Sequence, residues 1–219
     1  MNDIDLVIFD CDGVLIDSEG LSGQVLAAAL AEIGVYIDHD EFCTRMVGRS
    51  FPTVAAEIRE TRGVKLPPTF EADYRAQLLA RFEQELQVTD GIEAALDALD
   101  LPKCVATSSS PPRVRRSLEL TGLAPRFPHV FTASEVSRGK PAPDLFLHAA
   151  AVMATPPARC LVIEDSLPGI EAAKAAGMPV LRYTGGAHLR GRHLKHGDDV
   201  TTFEDWCAFT ALMNRANVS

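Results

Sequence analysis

The stretch Leu6-Val7-Ile8-Phe9-Asp10-Cys11-Asp12-Gly13 carries the pattern on which the fold prediction rests. Its four apolar residues predict a strand buried on both faces, because a half-exposed strand would alternate apolar and polar residues. Two carboxylates follow at the C-terminal end of this strand. Like charges at the end of a buried strand are costly unless a cation binds them, and Gly13 suits the tight turn that would wrap around it. An ordinary polar turn at Asp12-Gly13 is the alternative interpretation.

The same kind of apolar run recurs along the rest of the chain. Four further runs are predicted as strands: residues 103–107, 129–132, 160–163 and 180–183. Three helical patterns lie between the later strands: residues 111–123, 144–153 and 167–176. Strands that alternate with helices are typical of βαβ units, and uninterrupted apolar strands are typical of a parallel sheet covered on both faces. The sequence therefore predicts an α/β fold with a Rossmann-like, doubly wound parallel sheet.

Residues 17–89 interrupt this alternation, because they contain helical patterns but no convincing strand. A crossover between parallel strands needs only about a dozen residues, so most of this segment is an insertion. The insertion follows the C-terminal end of the first strand, which is where open α/β sheets bind ligands. We therefore predict a core domain of residues 1–16 and 90–219, covered by a helical cap domain of residues 17–89.

Composition and charge restrict the possible functions. The chain has 219 residues, of which 47% are hydrophobic and 23% charged, as in ordinary globular proteins. Its 30 acidic and 21 basic residues give a net charge of −9, which disfavours nucleic-acid binding. The sequence has no apolar run long enough for a membrane span, and its acidic start leads us to expect no signal peptide. Five scattered cysteines without a C-x-x-C pair fit a reducing compartment. We expect a cytoplasmic monomer that binds neither nucleic acid nor membrane.

A second pair of carboxylates, Glu164-Asp165, follows the apolar run at 160–163. The C-terminal ends of parallel strands face one crevice, so these carboxylates are expected to converge with Asp10 and Asp12. A helix cap formed by Asp165 is the alternative interpretation. Four converging carboxylates would repel one another strongly, and oxygen donors of this kind suit Mg²⁺. The two pairs together predict a magnesium site.

Two further segments point to an anionic ligand. Thr107-Ser108-Ser109-Ser110 follows a predicted strand and opens a helix, so its hydroxyl and N–H groups meet the positive end of the helix dipole. Helix capping by Ser110 alone is the alternative. Lys140 lies between a glycine and a rigid proline segment, and an ammonium fixed in this way would stabilise a transferring phosphoryl group. The alternative interpretation is a lysine in a loop whose side chain is exposed to solvent.

In this order, the motifs resemble those of the haloacid dehalogenase-like (HAD) superfamily of phosphohydrolases. The resemblance rests on Asp10-x-Asp12-Gly13, Thr107, Lys140-Pro141 and Glu164-Asp165. The position of the insertion is similar to that in the subgroup with a helical C1 cap. That subgroup includes phosphoglycolate phosphatases, β-phosphoglucomutases and phosphatases that accept sugar phosphates or 6-phosphogluconate.

The resemblance implies a role for each matching residue. Asp10 would be the nucleophile that forms an aspartyl-phosphate, and Asp12 the general acid and then the general base. Thr107 would bind the phosphoryl group, and Lys140 would hold both Asp10 and the phosphoryl oxygens. The implied ligands of Mg²⁺ are Asp10, Asp12 (through its carbonyl), Glu164 and Asp165. The candidate substrate-binding residues are Cys11, Gly13, Arg49, Arg75, Ser108 and Ser109, with the two arginines on the cap.

We therefore expect a Mg²⁺-dependent phosphatase that hydrolyses a small phosphorylated metabolite, a sugar or sugar-acid phosphate such as 6-phosphogluconate. One alternative is a phosphosugar mutase of the β-phosphoglucomutase type. Against it, Ser22 stands where that mutase has a cap histidine, and Phe51 where it has a phosphate-binding arginine. The other alternative is a non-catalytic protein that binds a phosphorylated ligand.

A polar stretch with His188, His193 and His196 follows the last predicted strand. The surrounding arginines and lysine predict a mobile basic loop near the cleft. A metal cluster or a nucleic-acid patch is the alternative interpretation.

Overall fold

The computed structural model describes residues 4–190 and 200–216, with side chains described up to residue 213. Its centre is a six-stranded sheet in the order β3-β2-β1-β4-β5-β6, in which every neighbouring pair is parallel. The strands are β1 (Leu6–Phe9), β2 (Lys103–Thr107), β3 (Val130–Thr132), β4 (Cys160–Glu164), β5 (Val180–Tyr183) and β6 (Thr202–Phe203). This arrangement confirms the predicted doubly wound α/β fold.

Helices surround the sheet and fill the segment between its first two strands. The α-helices are α1 (Glu19–Glu32), α2 (His39–Arg45), α3 (Phe51–Arg62), α4 (Phe70–Glu85), α5 (Ile92–Asp97), α6 (Pro111–Leu120), α7 (Asp144–Val152), α8 (Leu167–Ala175) and α9 (Trp206–Ala216). Short 3-10 turns occur at Ala124–Arg126, Ala133–Glu135, Pro157–Arg159 and Ala187–Leu189. Along the described chain, none of the helices combines the length and the apolar character needed to span a bilayer.

Both faces of the sheet are buried, as an uninterrupted apolar strand requires. All four residues of β1 are fully buried, and they alternate between two apolar clusters. Val7 and Phe9 belong to the larger cluster, in which Phe9 contacts the rings of Trp206 and Phe209 on α9. Leu6 and Ile8 belong to the smaller cluster, beneath α7 and α8. The centre of the sheet is therefore a rigid base for the residues that follow β1.

Local sequence signals explain where several helices begin. Ser166 precedes α8, and its Oγ accepts a hydrogen bond from the N–H of Gly169 at 3.2 Å. Asp38 caps α2 in the same way through the N–H of Glu41 at 2.7 Å. Proline occupies the first turn of α3, α6 and α8, where its missing N–H costs nothing.

Some elements differ from the sequence prediction. The two-residue strand β6 was not predicted, and α2 and α5 were not distinguished. All three are too short to show a clear period in hydrophobicity, and they form because tertiary contacts stabilise them. Phe203 of β6, for example, packs against the rings of Tyr183 and Trp206.

The four helices α1–α4 lie between β1 and β2 in the chain, and no sheet strand occurs among them in this fully described segment. The chain leaves the core and returns to it at one place. The N–H of Asp17 donates to the carbonyl of Gln87 at 2.9 Å, and the N–H of Thr89 donates to the carbonyl of Leu15 at 3.0 Å. Ile16 also forms an isolated antiparallel bridge with Val88. This place matches the ends of the predicted insertion, although the division into two domains stays a prediction.

Candidate active site

Asp10 follows β1 directly and is 3% exposed. Its Oδ1 accepts a hydrogen bond from Nζ of Lys140 at 2.7 Å. The same ammonium donates to Oε1 of Glu164 at 2.8 Å and to the carbonyl of Ala106 at 3.1 Å. Burial would lower the pKa of Lys140, but Asp10 and Glu164 together raise it, so this lysine is a fixed cation. The structure thus brings Asp10, Lys140 and Glu164 into one buried network at the C-terminal edge of the sheet.

Asp165 completes a group of three buried carboxylates with Asp10 and Glu164. One oxygen from each residue lies within 4.8 Å of the other two. Glu164 is already bound, because its Oε2 accepts hydrogen bonds from the N–H of Ser166 at 2.7 Å and from its Oγ at 2.9 Å. Within the described residues neither oxygen of Asp165 accepts a hydrogen bond, although Nε2 of His188 lies 2.9 Å from its Oδ2.

The electrostatics of this group favour a cation. Burial raises the pKa of Asp10 well above its usual value, and the neighbouring carboxylates raise it further against the opposing effect of Lys140. Burial and the charge of Glu164 do the same to the pKa of Asp165. A hard cation with a preference for oxygen ligands would relieve both effects. The oxygens of Asp165 without hydrogen bonds and the nearby oxygens of Asp10 are therefore a donor set that fits Mg²⁺.

Asp12 follows Asp10 by two residues, and its carboxylate accepts hydrogen bonds from three side chains. Its Oδ1 accepts from Oγ of Ser18 at 2.6 Å and from Nη2 of Arg113 at 2.6 Å, and its Oδ2 accepts from Oγ of Ser109 at 2.5 Å. Burial alone would raise the pKa of Asp12, but Arg113, Ser109 and Ser18 outweigh it and lower the pKa. In this arrangement Asp12 is ionised and its position is fixed.

Gly13 allows the tight turn that directly follows the two aspartates. Its φ of 77° lies in the left-handed region, and a Cβ at this position would collide with Oδ2 of Asp165. Cys11, between the aspartates, is 1% exposed. Burial and the adjacent carboxylates raise the pKa of its thiol well above the usual value, so the thiol packs as a neutral group.

Thr107, Ser108 and Ser109 connect β2 to the start of α6 beside Asp12. The N–H of Ser109 donates to Oγ1 of Thr107 at 3.1 Å. Oγ of Ser108 donates to the carbonyl of Gly48 at 2.9 Å, which joins this loop to the segment before α3. The three hydroxyl residues therefore line the place where the N-terminus of α6 meets the two aspartates.

An open cavity of about 1000 Å³, part of it shared with solvent, begins at Asp10 and Asp12 and extends under α1–α4. Its far wall is largely apolar and contains Phe42, Met46, Phe51, Val54 and Leu78. Three arginines also line it: Arg49, Arg75 and Arg113. The cavity can therefore hold a ligand larger than a phosphate group, with an anionic end next to the aspartates.

Both arginines named from the sequence are paired with acidic residues: Arg49, in the segment before α3, with a glutamate of α3, and Arg75 with a glutamate of its own helix α4. Arg49 donates from Nη1 to Oε2 of Glu57 at 2.9 Å. Arg75 donates from Nε and Nη2 to Oε1 of Glu71, at 2.9 Å and 2.6 Å, and from Nη1 to Oγ of Ser110 at 2.5 Å. All three guanidinium nitrogens of Arg75 therefore have partners.

Three residues of the site were missed by the sequence analysis. Arg113 and Ser18 bind Asp12, and Glu19 is a cavity-lining carboxyl group that is 6% exposed. No local motif marks Arg113, because its partner Asp12 is 101 positions away. Ser18 and Glu19 stand at the start of α1, where they look like an ordinary helix cap.

The prediction of a mobile basic loop was wrong for His188. This side chain is 2% exposed, belongs to a 3-10 turn and contacts Asp165. Its neighbours explain the burial, because Gly13 and Gly186 leave room for the imidazole ring between them. His193 and His196 lie outside the described residues.

Comparison with known proteins agrees with this geometry. The sequence profile of the haloacid dehalogenase-like hydrolases matches residues 4–177. The chain belongs to this family. The 6-phosphogluconate phosphatase of Escherichia coli (strain K12) is 31% identical over 206 residues, which are 93% of this chain and 91% of that protein. The predicted family and the predicted enzyme class, a phosphatase of the HAD type, are thereby confirmed.

Two solved structures are similar to this HAD-family chain over nearly its whole length. A haloacid dehalogenase-like protein of unknown function from Agrobacterium tumefaciens has a TM-score of 0.79 and 33% identity, covering 98% of this chain and 99% of that one. A HAD-family hydrolase from Deinococcus radiodurans, solved with bound phosphate and sodium, has a TM-score of 0.74 and 29% identity, covering 99% and 98%.

Proposed function

We propose that this HAD-family chain is a Mg²⁺-dependent phosphatase that hydrolyses a small phosphorylated metabolite, a sugar or sugar-acid phosphate, through an aspartyl-phosphate on Asp10. The observation that carries the proposal is the buried contact of Lys140 with both Asp10 and Glu164. Asp165 lies next to these two carboxylates, and Asp12 follows Asp10 by two residues. A carboxylate nucleophile and a phosphate dianion repel each other, so positive charge must be fixed around them. The related hydrolase from Deinococcus radiodurans was solved with bound phosphate and sodium, so a protein of this fold binds an anion and a cation.

Asp10 and Asp165 would hold Mg²⁺, together with the main-chain carbonyl of Asp12, and the ion would offset the charge on the phosphoryl oxygens. We assign Glu164 chiefly to Lys140 and to Ser166, because these groups already occupy both of its oxygens. Lys140 in turn orients the carboxylate of Asp10.

The reaction would proceed in two displacements. One carboxylate oxygen of Asp10 attacks phosphorus and forms the aspartyl-phosphate, the bond from phosphorus to the ester oxygen breaks, and Asp12 gives a proton to the departing oxygen. Water then attacks the same phosphorus, Asp12 takes a proton from it, and the bond to Asp10 breaks to release inorganic phosphate. Thr107 and the N–H groups at the start of α6 would bind the phosphoryl oxygens. Ser18, Ser109 and Arg113 hold Asp12 ionised before substrate binds, which suits its second role as a base. Its first role requires that it take up a proton when the substrate's phosphate dianion, a like charge that raises its pKa, comes to lie beside it.

The cavity favours a small metabolite, rather than a macromolecule, as the substrate. Helices α1–α4 cover it on the side away from the sheet, and its arginines offer positive charge beyond the reacting end. The similarity to the Escherichia coli 6-phosphogluconate phosphatase makes sugar-acid phosphates the first compounds to examine.

Phosphate release from a panel of phosphorylated metabolites tests the proposal. The panel contains 6-phosphogluconate, hexose and pentose phosphates, phosphoglycolate and β-glucose 1-phosphate, each with Mg²⁺ and with EDTA. We expect Mg²⁺-dependent release that Asp10→Asn abolishes. Asp97→Asn is the matched control, because that exposed carboxylate binds only Arg126 among the described residues.

Two outcomes would contradict the proposal. Conversion of β-glucose 1-phosphate into the 6-phosphate with little free phosphate would instead show a mutase. Mg²⁺-dependent binding of the compounds without turnover would show a non-catalytic binding protein.

A further inference from the structure

Arg113 differs from the other arginines of the cavity because it comes from α6, at the reacting end. Its Nη2 donates to Oδ1 of Asp12 at 2.6 Å and to Oγ of Ser22 at 2.9 Å. The side chain is 16% exposed and lines the cavity. A guanidinium charge therefore stands beside the acid–base residue, facing the space that the substrate's organic part would fill.

Most of the hydrogen-bonding capacity of Arg113 is unused. Nε is buried and has no hydrogen-bond partner among the described residues, and Nη1 donates to none of them. In Arg75, by contrast, all three nitrogens have partners. A guanidinium carries five N–H donors, and a buried donor without an acceptor, such as Nε of Arg113, is costly. The free donors of Arg113 thus call for an acceptor that none of the described residues provides.

Neighbouring residues hold this guanidinium in place. Its central carbon lies 5.4 Å from the centre of the Phe82 ring on α4, in cation–π contact, while Ser22 on α1 fixes Nη2. Leu26 and Leu78 line the same cavity and keep its wall apolar. A charge fixed in such surroundings interacts strongly with an opposite charge.

We propose that Arg113 binds a carboxylate of the substrate, so that the enzyme selects phosphate esters of hydroxy acids over those of the corresponding alcohols. The inference rests on the proposed phosphatase function and names the substrate class. A carboxylate offers two oxygens to a planar guanidinium, which is the pairing that arginine makes best. Arg113 also donates to Asp12, the proposed acid for the departing ester oxygen. A carboxylate bound to Arg113 would therefore place the ester oxygen of the substrate near Asp12.

Matched pairs of substrates test this assignment. 3-Phosphoglycerate and glycerol 3-phosphate differ only in a carboxylate against a hydroxymethyl group, and so do 6-phosphogluconate and sorbitol 6-phosphate. We expect the acid to have the higher kcat/KM in at least one pair. Arg113→Gln should then lower kcat/KM for that acid about 10- to 100-fold more than for its alcohol, the loss expected for a hydrogen-bonded charge pair. Arg113→Lys, which keeps the charge but loses the planar edge, should restore part of the preference.

The ratio of kcat/KM for the acid to kcat/KM for its alcohol distinguishes a role of Arg113 in binding the substrate from a role in holding Asp12. If Arg113 served Asp12 alone, Arg113→Gln would lower kcat/KM for both members of a pair by the same factor, and the proposal would be overturned. Equal kcat/KM for both members in the unaltered enzyme would overturn it as well. Arg116→Gln is the control variant, and we expect it to leave the acid-to-alcohol ratio unchanged, because this arginine lies on the same helix but is 43% exposed and pairs with Glu83 outside the cavity lining.

Hydrolysis of p-nitrophenyl phosphate, which has no carboxylate, keeps the two proposals apart. If the unaltered enzyme hydrolyses it with Mg²⁺ but shows no acid preference, the phosphatase assignment stands and the role of Arg113 is wrong. If neither p-nitrophenyl phosphate nor any of the metabolites is hydrolysed, the proposed function itself is wrong.

Discussion

Nζ of Lys140 lies 2.7 Å from Oδ1 of Asp10, although the two residues are 130 positions apart in the sequence. The pair is fully enclosed, with 1% of the lysine side chain and 5% of the aspartate side chain exposed. Because both groups are shielded from water, removing either charge would leave the other buried without a partner, which is strongly destabilising. This single contact fixes the orientation of the proposed nucleophile before any substrate binds.

Removing that lysine should destabilise the fold. Lys140→Met leaves Asp10 and Glu164 buried without their cation, and we expect the free energy of unfolding to fall by about 3–5 kcal/mol. Urea unfolding monitored by circular dichroism measures the change. Lys174→Met, at an exposed position of α8, is the control and should change stability by less than about 0.5 kcal/mol. Equal effects of the two substitutions would show that the buried pair contributes little.

Magnesium should stabilise the folded protein before any chemistry occurs. A cation that binds Asp10 and Asp165 in the folded state alone adds about 2.7 kcal/mol at a concentration one hundred times its dissociation constant. The melting temperature should therefore rise with Mg²⁺ and return to its starting value with EDTA. In Asp165→Asn the metal-dependent rise should disappear. Without metal, this variant should melt no lower than the unaltered protein, because it removes one of three clustered charges.

Glu19 should make stability depend on pH in an unusual direction. Burial raises its pKa from 4.5 to about 8, so between these values the folded state holds a proton that the unfolded state has lost. The unfolded state then binds fewer protons, and stability falls as the pH rises, by up to about 1.4 kcal/mol per pH unit. Glu19→Gln lacks this proton and should gain stability relative to the unaltered protein from pH 4.5 to about 8.

Unfolding of both proteins in EDTA across this pH range measures the difference. A stability difference that stays constant with pH would show that Glu19 is ionised in the folded state.

Gly48 should be needed for the contact between the segment before α3 and the core. Its φ is 77°, and a Cβ there would collide with Oγ of Ser166. Gly34 has nearly the same φ, 78°, but no atoms near its would-be Cβ. Gly34→Ala should therefore cost only the left-handed strain of about 1–2 kcal/mol. Gly48→Ala should cost more and should also lower phosphate release, because the displaced segment carries the acceptor of Ser108. The two variants are compared by thermal unfolding and by the activity assay, and equal losses would show that the contact is dispensable.

The sequence was sufficient to predict residues whose position follows from the topology. Asp10 and Asp165 follow buried apolar strands, and parallel strands end at a common edge, so their meeting could be expected before the structure was known. Thr107 is predictable for the same reason. Lys140 was predicted from its rigid surroundings and from the resemblance, but its second partner, Glu164, was not.

Residues whose role depends on contacts between distant parts of the sequence could not be predicted in this way. Arg113 belongs to a helix with several arginines, and nothing in the local pattern shows which of them points into the cavity. His188 looked like part of a solvated basic stretch, yet it fills a space left by two glycines. Strand β6 has only two residues, and it forms because Phe203 packs on Tyr183 and Trp206. Each of these depends on contacts between segments that are distant in the chain.

The hydrogen bonds that join residues 15–17 to residues 87–89 bring the two ends of the helical insertion side by side. A segment whose ends are neighbours can be lengthened, shortened or exchanged without altering the path of the sheet. The residues that would carry out the chemistry, Asp10, Lys140 and Asp165, stand on the sheet's edge and lie outside that segment. Much of the wall that a substrate meets lies within it. Replacing the insertion should therefore change the wall around a substrate, while the residues proposed for the chemistry and for carboxylate binding, Asp10, Lys140, Asp165 and Arg113, keep their places.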